Sequence, residues 1–263
     1  MQVAHIAPPS LCEDVSALGK YHLVLPHMLL TSEVYARVYW GAASRGDYVI
    51  LDNGEAEGLA VNYAFNQLCM VAMSGDFKEI VLPDTMGDLN ATMVATGTAL
   101  TKIPMLVHDK KLSFMAVLQG QTMEELKMCL DFYTSLELRA KITTIGIPRH
   151  VVGSVDQHAR FEMAQLITEK YPRFKIHLLG ASPIWVDEVK DLVKLYPFIR
   201  GIDTSLAFNA AAANIDLAMI KGGYQPQLPI HRPINFAMRR WNDKEKKLVH
   251  RNISTINGWA QTS

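Results

Sequence analysis

Eight stretches of the chain are short, continuous apolar runs, and each stops at a polar or turn-forming residue. Tyr48 to Asp52 (YVILD) is the strongest, halted by the turn dipeptide Asn53-Gly54. Glu79 to Pro83 (EIVLP) stops at Asp84, and Ser113 to Leu118 (SFMAVL) at Gln119-Gly120. Ile142 to Ile147 (ITTIGI) stops at Pro148-Arg149, Lys175 to Leu179 (KIHLL) runs into Gly180 and Ser182, and Phe198 to Ile202 ends at Asp203. Tyr21 to Pro26 and the weaker Gln2 to Ile6 precede them. Apolar runs without alternation are expected where both faces of a strand are buried in a parallel sheet. Between them, apolar residues recur at helical spacing over Ala56 to Met73, Asp88 to Thr101, Thr122 to Leu136, Asp156 to Tyr171 and Trp185 to Tyr196. Thr122 and Glu125 have the spacing of a capping box. An alanine-rich helix is expected over Asn209 to Ile220.

Eight strands alternating with helices predict an α/β chain folded as a (β/α)8 TIM barrel. The 263 residues suit a single domain, with the barrel over about 1–222 and a short basic C-terminal helical extension over about 223–263. Without the weak first strand, the same pattern also suits an open doubly wound sheet. Tyr224 to Pro233 is proline-rich and reads as an irregular connection.

Composition narrows the classes. With 49% hydrophobic residues the chain is not a disordered one. No apolar run reaches the ~18 residues that span a bilayer, and no basic-then-apolar leader opens the chain, so no membrane role and a cytoplasmic location are expected. Three scattered cysteines, Cys12, Cys69 and Cys129, fit buried reduced thiols, and no metal is expected. The formal net charge is zero, so any nucleic-acid contact must come from a local patch.

In a barrel, Asp52, Asp84, Gln119, Arg149, Ser182 and Asp203 all follow strands and share the end where barrel enzymes place their chemistry. Turn formation also favours Asp and Gly at such positions, so the set carries more weight than any member. Asp52 and Asp203 form a carboxylate pair of the kind used in glycosyl chemistry. Asp84 with Gln119 offers acceptors and donors to a base edge. Glycine-rich phosphate loops, HExxH, CxxC and GxSxG are absent from the sequence. His22 and His27 are structural histidines or mouth residues. Arg149 and His150 are a solvated pair or a phosphate contact. The run Arg239, Arg240, Lys244, Lys246, Lys247 and Arg251 is a charged helix face or a track for a nucleic-acid backbone. Trp241 and Trp259 read as anchors of that helix, with stacking on a base as the alternative.

Taken in order, six of these segments resemble the guanine transglycosylases of the tRNA-guanine (queuine or archaeosine) type. Ile50 to Gly54 is similar to the family's aspartate-serine-glycine segment, Val81 to Asp84 to its second aspartate segment, and Val117 to Gly120 to its glutamine-glycine segment. Ile145 to Ile147 stands at its glycine-rich base-binding strand end, Leu178 to Pro183 at its leucine-methionine-glycine-valine-glycine stretch, and Gly201 to Ser205 at the strand carrying the nucleophile. The resemblance implies a glycosyltransferase (pentosyltransferase) that exchanges guanine for a 7-deazaguanine in a polynucleotide. Asp203 would be the nucleophile and Asp52 would take a proton from the incoming base. Asp84, Gln119, Gly120 and Ser182, with backbone groups at Gly146 and Ile147, would hold the base. No cofactor is implied.

The family's C-x-C-x2-C…H zinc site has no counterpart here, because no cysteine follows Cys129. No aromatic follows Asp52 where the bacterial tRNA enzymes place a stacking ring; Glu55, Phe208 or Tyr21 are the candidates to compensate. A compact zinc-free barrel looks more like the phage-type relatives that modify DNA, so DNA is slightly preferred over tRNA, and the cytoplasm is the host's if the chain is phage-encoded. A homodimer or a heteromeric pair is the assembly the resemblance implies. Two other expectations stand beside it: a barrel enzyme acting on free nucleosides or other glycosides, and a non-catalytic partner subunit.

Overall fold

The apolar runs fold as eight parallel strands: β1 (Gln2–His5), β2 (Tyr21–Val24), β3 (Tyr48–Leu51), β4 (Glu79–Val81), β5 (Ser113–Val117), β6 (Ile142–Pro148), β7 (Lys175–Leu179) and β8 (Ile199–Thr204). The computed structural model describes residues 1–59, 64–106, 112–135, 142–181, 198–220 and 239–261. The hydrogen-bonded ladder runs β1-β8-β7-β6-β5-β4-β3-β2, and its two ends, β1 and β2, lie against each other. That order follows the chain around a nearly closed ring, whereas a doubly wound sheet reverses direction at its centre. The fold is a (β/α)8 barrel, and the weak first strand closes it.

Helices clothe the outside: α1 (Cys12–Ser16), α2 (Pro26–Thr31), α3 (Glu33–Ser44), α4 (Phe65–Ser74), α5 (Leu89–Leu106), α6 (Met123–Ser135), α7 (Val151–Ser154), α8 (Ala159–Lys170), α9 (Leu206–Ala212) and α10 (Asp243–Gln261). Several boundaries correct the reading of the sequence. The pair α2–α3 was not anticipated. It begins with Pro26 at the first helical position, and Ser32 caps α3 by accepting the Tyr35 N–H (3.3 Å). The alanine-rich helix starts at Leu206 rather than Asn209, because the Thr204 hydroxyl accepts the Leu206 N–H (3.0 Å) and turns the chain at once. It stops at Ala212, and only a 3-10 turn follows at Leu217–Met219. Asp156 lies outside α8, where its carboxylate accepts the His158 N–H (2.7 Å). Thr122 does cap α6, accepting the Glu125 N–H (3.1 Å), while Glu125 reaches back to the Gln121 N–H (2.6 Å). The expected helix over 185–196 and connection over 224–233 lie outside the described residues.

α10 packs on α9 and β1, burying Val249, Ile253, Ile256 and Ala260 along one stripe. Asn252 on that stripe is fully buried, accepts the Leu217 N–H (2.9 Å) and donates to the carbonyls of Ile215 (3.1 Å) and Ala207 (3.3 Å). Among the described residues no helix is long and apolar enough to cross a membrane. The three thiols are free and buried, and burial pushes Cys12 up to about 11 and Cys69 up to about 12.

Inside the barrel, one set of side chains departs from the usual aliphatic filling. Tyr21, Glu79, Thr144 and Arg200 come from the four even-numbered strands near their N-terminal ends and are hydrogen-bonded to one another. Arg200 pairs with the Glu79 carboxylate and donates to the Tyr21 hydroxyl (3.0 Å) and, from its other arm, to Tyr48 (2.8 Å). The Thr144 hydroxyl donates to Glu79 (2.5 Å). Tyr21 and Tyr48 stack at 5.7 Å between centroids. Gly201 in β8 makes room for this layer, since a Cβ there would lie 2.5 Å from the Tyr21 ring.

Candidate functional site

The C-terminal ends of the strands surround a cavity of about 350 Å³. Its floor is apolar, from Leu23, Val81, Val117 and Leu179, and its rim is polar. Asp52, Asp84, Gln119, Arg149 and Asp203 all line it, so the barrel brings together five of the six strand-end residues singled out above. The sixth, Ser182, lies outside the described residues.

Asp52 is buried just past β3, and its Oδ2 accepts the N–H of Gly54 (3.1 Å). The positive φ of Gly54 (83°) turns the chain sharply there, a conformation glycine adopts without strain. Burial, together with the charges of Glu57, Asp203 and Asp84, holds the Asp52 carboxyl well above the usual carboxylate range, against the smaller opposing effect of the Gly54 N–H. Glu57 lies at the exposed rim of the cavity. Loss of solvent and the facing Asp203 raise its pKa, and Arg149 partly offsets them.

Asp84 is gripped from two sides. Its Oδ1 accepts the Asn53 amide (2.5 Å) and its Oδ2 the Gln119 amide (2.5 Å). Asn53 also donates to Leu82 O (2.8 Å), and Gln119 Oε1 accepts the Gly87 N–H (2.9 Å), so both amides are themselves held. Burial pushes Asp84 up to about 6, and the two amide donors oppose it. Glu55 does not stand in for a stacking ring, since its carboxylate accepts the Met86 N–H (2.9 Å) in the wall of the cavity.

Asp203 lies in β8 and is buried. Its Oδ1 accepts two donors, His177 Nε2 (3.0 Å) and the N–H of Gly180 (3.0 Å). Gly180 has φ 74°, which aims its N–H inward, and a Cβ there would crowd Arg149 Cδ at 3.0 Å. Among the described residues Oδ2 of Asp203 receives no hydrogen bond.

Other expected base-binding positions fall elsewhere. Gly146 and Ile147 lie inside β6, in register with His177 and Leu178 of β7, and the cavity wall begins only at Pro148. Gly120 packs on the start of α6, where a Cβ would lie 2.7 Å from Glu125 Cβ. Tyr21 and Phe208 are buried away from the cavity: Tyr21 is in the basal layer, and Phe208 packs edge-on against Trp241. Trp241 is therefore an anchor, whereas Trp259 lines the cavity. His22 is buried against Asp47 (3.4 Å) and takes no part in the mouth. In the basic run, Arg239 is paired with Glu245 (2.7 Å) and Arg251 with Asp216 (2.6 Å); Arg240, Lys244 and Lys247 are exposed.

No family model and no curated protein matches the chain. The chemistry must be read from the site itself. Three of its members, Asn53, Glu57 and His177, were not anticipated from the sequence. Asn53 reads as half of a turn dipeptide, Glu57 falls in the helix expected over Ala56 to Met73, which begins only at Phe65, and His177 sits in an apolar strand. The one available signal for His177 was a polar residue at the centre of KIHLL.

Proposed function

We propose that this chain is a guanine transglycosylase acting on a polynucleotide, with DNA preferred over tRNA. The observation that carries the reading is the pair Asp52 and Asp203: two buried carboxyl groups at one cavity whose surroundings hold them differently. Asp203, whose Oδ2 receives no hydrogen bond among the described residues, attacks the anomeric carbon of the target nucleotide. The bond from that carbon to the guanine nitrogen breaks as the bond to Oδ2 forms. Asp52, whose neutral form is favoured by burial and by the neighbouring carboxyl charges, passes a proton to the departing nitrogen, so guanine leaves neutral. The incoming 7-deazaguanine returns a proton to Asp52 as its nitrogen attacks the same carbon, and Asp203 is released. The carboxylate oxygens of Asp84 suit the N–H donors on the edge of a guanine-like base, and the Gln119 amide suits its carbonyl. A nucleotide must leave any stack to enter the mouth of the barrel.

Incubation with labelled guanine and DNA or tRNA, followed by nucleoside analysis, tests this directly. Asp203→Asn is expected to lower base exchange by on the order of 10⁴-fold or more, and Asp203→Ala to abolish the adduct with polynucleotide that survives denaturation. Full exchange by Asp203→Asn on every polymer tried overturns the reading.

One observation favours a second reading. The described cavity wall carries five carboxyl side chains (Asp52, Glu55, Glu57, Asp84, Asp203) against Arg149 and His150 as its basic groups. Few partners for phosphate fit a free nucleoside or another glycoside. Turnover of nucleosides without binding of polynucleotide would decide for it.

A further inference from the structure

Asp203 is joined to the basal layer of the barrel by a chain of buried hydrogen bonds, and the donor in each can be assigned. Arg200 is only a donor, so its Nε–H at 3.0 Å must give its proton to the Tyr21 oxygen. The Tyr21 hydroxyl then spends its own proton on the remaining neighbour, Nδ1 of His177, at 2.7 Å. Nδ1 is thereby an acceptor, which leaves the imidazole proton on Nε2, facing Asp203 Oδ1 at 3.0 Å. An imidazolium would place Nδ1–H against Tyr21 and leave the buried hydroxyl proton without an acceptor. His177 has no exposed surface, and burial, outweighing the Asp203 charge, lowers its pKa, in keeping with a neutral ring. Glu79 and Tyr48 hold Arg200, and Gly201 gives Tyr21 its space, so each link is fixed by the next.

We infer that His177 is a positioning residue for Asp203, held as the Nε2–H tautomer by Tyr21 and Arg200 and, with the Gly180 N–H, tethering Oδ1 so that Oδ2 is the attacking oxygen. This rests on the base-exchange reading above. His177 touches no substrate; it acts by fixing which oxygen attacks and from where. Loss of alignment alone is worth about 10²-fold.

The test uses the full chain and two readouts. In single-turnover formation of the polynucleotide adduct, His177→Leu is expected to slow the rate about 100-fold with polynucleotide KM within about twofold, at a melting temperature showing the protein folded. His177→Gln places an amide N–H near the position of Nε2 and is expected to recover to within about tenfold of wild type. Tyr21→Phe frees the tautomer and should fall between them. A folded His177→Leu with the wild-type rate, or a His177→Gln no faster than His177→Leu, overturns the inference. ¹⁵N spectra of histidine-labelled protein give the second readout, independent of turnover. The inference expects a His177 ring protonated on Nε2 whose resonance moves in Asp203→Ala; protonation on Nδ1, or no response, overturns it. A wild-type protein that exchanges no base but shows the Nε2–H signature sinks the base-exchange reading while leaving the tether in place.

Discussion

At the N-terminal end of the barrel Glu79 is wholly buried and is met by Arg200 and by the hydroxyls of Thr143 and Thr144. At the C-terminal end Asp52 is also buried, yet among the described residues it accepts a single backbone N–H, and the charges of three other carboxyl groups bear on it. Both sites put a carboxyl group into low dielectric, where an unpaired charge is costly. The basal site resolves the cost with a counter-ion. The mouth resolves it by raising pKa values, leaving groups ready to give and take protons. Paired charge holds a fold together, and like charges gathered in a cleft are a sign of chemistry.

The same carboxylate-to-amide change should therefore have opposite signs at the two ends. Asp52→Asn is expected to lower base exchange by about 10²–10⁴-fold. It should also raise the urea midpoint at pH 7, because it removes a carboxyl group whose charged form the fold disfavours. Glu79→Gln is expected to cost about 3–5 kcal/mol in the same unfolding measurement, because Arg200 keeps its charge without a counter-ion. A stabilised Glu79→Gln, or a destabilised Asp52→Asn, would break the contrast.

Titration sharpens it. The folded-state pKa of Asp84 is raised from 3.8 to about 6, so its stabilising contribution is fully present below 3.8 and is lost as pH rises through about 6. Urea unfolding of Asp84→Asn against wild type should show the difference moving in the variant's favour by up to about 3 kcal/mol between pH 4 and pH 7. The smallest effect expected is at Gly201→Ala, whose methyl would press on Tyr21 and cost about 1–3 kcal/mol in thermal unfolding. If the basal layer and the mouth are linked, that variant should also slow exchange.

The strands were legible because burial on both faces leaves an uninterrupted apolar run, and the rim was legible because strand ends are where polarity returns. Even β1 was visible, although only its place between β8 and β2 showed that it closes the barrel. α3 was legible in principle: Ser32 is a cap, and Tyr35, Ala36, Tyr39, Ala42 and Ala43 form its buried stripe. The links Glu79–Arg200 and Tyr21–His177 were not, because their partners lie 121 and 156 residues apart. No local pattern records such a pairing. The same limit explains Gly146 and Ile147, placed at the base by analogy of order and found one step too deep in β6.

The double grip on Asp84 bears on how this mouth can change over generations. Because Asn53 and Gln119 each take one of its oxygens, the carboxylate cannot swing toward a new ligand, and replacing it by an amide would set nitrogen against nitrogen. Residues 53, 84 and 119 are thus a single unit of inheritance, in which altered base preference requires compatible substitutions at all three and each single change is penalised by the two residues left behind.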